Sequence, residues 1–65
     1  MNTASLEYSE MRVRVARLRD RAQHCLAMAE RAHSSAIAAE LASIARDYER
    51  DAQALELEPG RGAAA

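Results

Sequence analysis

Five arginines fall within ten residues, at Arg12, Arg14, Arg17, Arg19 and Arg21, and only Asp20 offsets them. On a helix such a cluster can neutralise the phosphates of a nucleic-acid backbone. No aromatic residues are interleaved with it for base stacking. The chain also supplies its own counter-charges: Asp47, Glu49, Asp51, Glu56 and Glu58 stand against only Arg50 in the same stretch. Pairing between the two blocks is the expected use of the arginines, and nucleic-acid contact through them is the alternative. Arg12 and Arg19 share one edge of a helix, Arg14 and Arg21 share the other, and Arg17 lies further round, so the five form no single stripe.

Two other groupings could do chemistry. Glu30 and His33 have the Glu-x-x-His spacing that puts both side chains on the inner face of di-iron bundles. They sit off the apolar seam at a helix end, and no second buried carboxylate is evident except Asp51, far away along the bundle, so an exposed pair is expected. His24 and Cys25 are adjacent, which on a helix points them about 100° apart and spoils them as a base–nucleophile pair. Cys25 reads as a small buried hydrophobe. There is no phosphate loop and no triad spacing, so no catalytic residue, metal ligand or cofactor site is assigned, and an enzyme is not expected. A metal or redox protein using His24, Cys25, Glu30 and His33 is the third-ranked reading.

The elements that position these residues are helices. Sixteen of the 65 residues are alanine, all nine cations are arginine, and glycine and proline occur only in the last seven positions. These are strong helix formers with no internal breaker, and no strand pattern is visible. From Tyr8 the apolar residues step by three and four through Met11, Val15, Leu18, Ala22, Cys25, Ala29 and Ala32, a heptad seam that requires a partner helix. Ser5 is the expected N-cap, with Thr3 as the alternative, and Glu7 suits the positive helix end.

The phase of the pattern changes after Ala32. Extending the first seam would select Ala36, Ala39, Ser43, Arg46 and Arg50, whereas the large apolar residues fall at Ile37, Leu41, Ile44, Tyr48 and Leu55. Ser34 or Ser35 can cap a new helix, and His33 suits the negative end of the first. The reading is a hairpin: a leader over 1–5, helix 1 over about 6–32, a turn over about 33–35, helix 2 over about 35–57 and a disordered tail over 59–65, since Glu58-Pro59-Gly60 should stop the helix. A single helix with a register slip is the alternative. Ala38, Ala45 and Ala52 are expected to flank the second seam, with Asp51 an error within it. Folding about Ser34 sets the charge blocks side by side, with Arg12 near Glu56, Arg17 near Asp51 and Arg21 near Asp47. Such exposed pairs add little stability but favour an antiparallel pairing.

A chain this short buries a modest share of its surface. One cysteine makes no internal disulfide and suggests no oxidising compartment. The start shows no signal peptide, and no apolar run reaches the ~20 residues of a membrane span, so the expected location is the cytoplasm. Oligomerisation is the remaining route to stability. Leu26, Ala27 and Met28 widen the apolar stripe near the turn, and Val13 lies outside it. A hairpin has no third layer to cover them, which suggests a subunit contact over a membrane-surface role.

The run Leu18-Arg-Asp-Arg-Ala22-Gln-His-Cys25-Leu26-Ala27-Met28-Ala29, followed by Leu41-Ala-Ser-Ile44-Ala45-Arg-Asp-Tyr48, resembles small uncharacterised helical proteins of alphaproteobacteria. Their pattern is Arg-Ala-x-x-Cys, Leu-Ala, a short turn, then Leu-x-x-x-Ala-x-x-Tyr. The turn here lacks their Asp-Pro. The resemblance implies a hairpin fold and carries no activity. The combined expectation is an all-α antiparallel hairpin that dimerises into a four-helix bundle. It would act as a non-catalytic interaction or regulatory protein, with a protein partner in view and nucleic acid not expected.

Overall fold

The computed structural model describes residues 3–64, with side chains described from Glu7 to Leu57. The first two leader residues, Ala65 and the Ser5 cap side chain lie outside that description. Two helices make up the fold, α1 (Thr3–Arg31) and α2 (Ser35–Ala64), packed against each other. This is the expected hairpin; the continuous helix is not what forms.

The turn is short and built without special backbone. The Ala32 N–H donates to the Ala29 carbonyl at 3.3 Å, tightening the last turn of α1. Ser34 then caps α2: its hydroxyl accepts from the N–H groups of Ala36 and Ile37 at 3.1 and 3.2 Å. Its carbonyl accepts the first intrahelical bond, from Ala38 at 3.0 Å. Such a cap is worth about 1 kcal/mol. No described residue other than glycine has a positive φ, so the reversal needs no glycine.

Two boundaries differ from expectation. α1 begins at Thr3 rather than near residue 6, because nothing in Thr3-Ala4-Ser5 breaks a helix. α2 continues through Pro59 and Gly60 to Ala64 rather than ending near residue 57. Proline's fixed φ is helical, and its missing N–H leaves the Leu55 carbonyl without its helical donor while the helix runs on.

The seam of α1 runs where its spacing puts it. Val15 and Ala22 are buried, and Met11, Leu18, Cys25, Ala29 and Ala32 are half-buried. Tyr8 departs from it, 53% exposed near the open end. The seam of α2 needs correction. Ala45 and Ala52 are buried and Ala38 is half-buried, so the alanines form the seam rather than flank it, together with Leu41, Tyr48 and Leu55. Ile37 and Ile44 are 52% and 43% exposed and stand one position off it, and Asp51 is exposed beside them. The reason is size. An alanine at every seventh residue lets two backbones approach, and isoleucine in that line would hold them apart.

The core of this layer is slight. No buried described side chain is larger than valine. The chain measures 51 × 20 × 8 Å, one layer of helices thick, with a radius of gyration of 15.3 Å, against about 11 Å for a compact domain of this length. Its accessible surface is 5283 Å², where a compact protein of this mass shows about 4,100 Å².

Candidate interaction surface

Lettering the heptads with a on Val15 and Ala22 and d on Leu18 and Cys25 gives a on Ala38, Ala45 and Ala52 and d on Leu41, Tyr48 and Leu55. Equal steps outward from the turn set Val15 level with Ala52 and Ala22 level with Ala45. The d residues match within one residue: Cys25 with Leu41, Leu18 with Tyr48, Met11 with Leu55. Burial separates the two sets. The a residues at these levels are buried, whereas all six d residues are only half-buried. The helices therefore close on the a side and open on the d side. On a helix, position g adjoins d and e adjoins a. The open face is bordered by the g residues Arg14, Arg21 and Met28 of α1 and Ile37, Ile44 and Asp51 of α2.

The closed edge carries the ion pair. Arg19 donates from both terminal guanidinium nitrogens to Glu56, at 2.9 and 2.7 Å, and its Nε lies 3.7 Å from Glu49. All three are e residues, which fixes the edges that meet. The hydrogen bonds from Arg19 hold the Glu56 carboxyl below its ordinary value, and the same bonds raise the guanidinium. Half of each side chain remains exposed, so the fork is weighed as orientation rather than stability.

The expected charge partners are therefore corrected. Glu56 takes Arg19 instead of Arg12, and among the described residues Arg17–Asp51 and Arg21–Asp47 do not form. Side chains tilt toward the N-terminus of their own helix. In an antiparallel pair Arg19 leans to the open end and Glu56 leans to the turn, so residues a heptad apart in level meet. Arg12, level with Glu56, leans past it. It lies 5.7 Å from the Tyr8 ring centroid, with a long 3.4 Å contact to the hydroxyl. Asp47 pairs within α2, with Arg50 at 4.0 Å. Arg14, Arg17 and Arg21 make no ion pair among the described residues.

The remaining candidates are dispersed. Leu26 is an e residue and lines a shallow groove with Ala45, Arg46 and Glu49 on the closed edge. Val13 faces outward beside Arg14 and Arg17. Glu30, His33 and His24 are exposed, and Cys25 is a half-buried free thiol. Among the described residues no three potential metal ligands gather, and no helix is long and apolar enough to cross a membrane. Sequence reasoning missed the e-edge partnership of Arg19 with Glu49 and Glu56. Its signal was present in their spacing, one heptad apart, once side-chain tilt is considered. No family model, curated protein or solved structure matches the chain.

Proposed function

We propose that the protein is a small non-catalytic interaction protein that works through helix–helix association, with a homodimer of four helices as its unit. One observation supports this above the others. Six large or medium apolar d residues line one side of the hairpin and are left half-buried by their own chain. A layer this thin and this exposed gains most by covering that side, and helices cover helices through such seams. Sedimentation equilibrium over a wide concentration range tests it. The expected mass is the dimer's, with a melting temperature that rises with concentration. A monomer at the highest concentration, with a sharp and concentration-independent transition, would overturn the reading.

A second reading is favoured by the arginines that make no ion pair among the described residues. Arg14, Arg17 and Arg21 are exposed and follow i, i+3, i+7 along α1, a spacing that can track a phosphate backbone. The test is a titration of labelled RNA and DNA at two salt concentrations, with Arg14→Ala and Arg17→Ala alongside. We expect no saturable binding at low salt, because α2 presents acids of nearly equal number. Tight binding with a steep salt slope, lost in both variants while helicity persists, would place nucleic acid first.

A further inference from the structure

We propose that a second copy of this chain covers the open d face with its turn at the same end, so that α1 of each copy packs on α2 of the other. This rests on the dimeric reading above and selects between its two symmetric forms. Two hairpins stacked face to face are related by a two-fold axis lying between the layers. An axis along the helices puts the turns together and sets α1 on α2. An axis across the helices puts the turns apart and sets α1 on α1.

The area is adequate for either form. A face 51 Å long and 20 Å wide offers on the order of 1,000 Å², against about 800 Å² per partner in an interface of standard size.

The border residues decide between them, because the face is not uniform along its length. Near the turn the g positions are Met28, Ile37 and Ile44, each exposed by 43–52%. Toward the open end they are Arg14, Arg21 and Asp51. With the turns together, residues on the same level meet across the interface. Met28 then lies beside Ile37 of the second copy, and Arg14 lies beside its Asp51. Arg21 comes level with Ile44, where its aliphatic stem can cover the isoleucine and its charged head can remain in water. With the turns apart and the helices fully overlapped, the axis crosses α1 near Arg17 and α2 near Arg50. Arg14 then meets Arg21 of the second copy, Asp51 meets Asp51, and Met28 and Ile37 are set against the open end. The first form covers the apolar border and matches charges. The second opposes like charges, which disfavours it.

A distance between spin labels tests this. His33→Cys in a Cys25→Ala background places one label per chain on the exposed bend, and sedimentation establishes that the labelled protein dimerises. Labels at one end of the bundle are expected ~15–30 Å apart, from helix spacings of about 10 Å plus the label arms. A separation of ~40 Å or more, the length of α1 at 1.5 Å per residue, would overturn the proposal and leave the dimer standing. A monomer would overturn both. Charge variants with Cys25 intact give an independent check. Arg14→Glu and Asp51→Arg should each weaken dimerisation severalfold, and the double variant should restore it. Tighter dimerisation by Arg14→Glu alone would indicate that Arg14 faces an arginine, and would refute the arrangement.

Discussion

Leu41→Asp is expected to abolish assembly and to unfold most of the chain. Leu41 is the d residue of α2 nearest the turn, level with Cys25, and half-buried already within one hairpin. The substitution removes an apolar contact worth about 1.5–3 kcal/mol when fully buried. It also places a carboxylate where helices meet, and a charge there costs more than the contact it replaces. At ~0.05–0.15 kcal/mol per residue, a chain of 65 residues has only about 3–10 kcal/mol to lose. Helicity by circular dichroism and mass by sedimentation check the result together. Leu57→Asp is the matched control: Leu57 is 76% exposed, and the same chemical change there should leave both nearly unaltered. Full helicity and a dimeric mass in Leu41→Asp would mean that the d line touches nothing.

The second large effect is expected from Ala22→Leu. Ala22 is fully buried and level with Ala45, itself 2% exposed. At that level the two backbones approach because neither residue carries more than a methyl group. A leucine there pushes the helices apart along the whole a line, and overpacking of this kind costs about 1–3 kcal/mol. In a domain of this size each kcal/mol corresponds to ~4–8 °C, so a fall of roughly 5–20 °C in melting temperature is expected. Ala27→Leu adds the same three carbons on the exposed side of α1 and should melt within a few degrees of the parent. Equal melting temperatures for the two variants would show that the alanines do not set the helix spacing.

These residues also show how far the fold could be read from the chain. The α1 seam was legible from its steps of three and four, and from Met11 to Ala32 every member is at least half-buried. The turn was legible from a change of phase alone, with Ser34 supplying the cap. In α2 the same reasoning gave the line to Ile37 and Ile44, because it ranked positions by side-chain size. A heptad pattern records every helix contact at once and does not say which are made within one chain. The alanines at 38, 45 and 52 report the close neighbour. The isoleucines border the face left open. The charge blocks were read correctly as antiparallel neighbours, but Glu56 takes the arginine one heptad along, and the other two expected pairs do not form among the described residues. Levels can be counted from the turn, whereas side-chain tilt moves each charged head away from its own level.

The line of alanines is like a ruler with identical marks. Sliding α2 along α1 by seven residues would bring Ala22 level with Ala38 or Ala52, again methyl against methyl at that level. Arg19 would not object, since it already touches glutamates at two successive marks, Glu49 and Glu56. The alanine line by itself does not name the zero of the scale. That role falls to the bend at Ala32, His33 and Ser34, whose cap starts α2 at a fixed point and whose length leaves no slack for a shift. Lengthening this loop would do more than add flexibility. It would open the hairpin to shifted alignments, each carrying a different set of side chains to the open face.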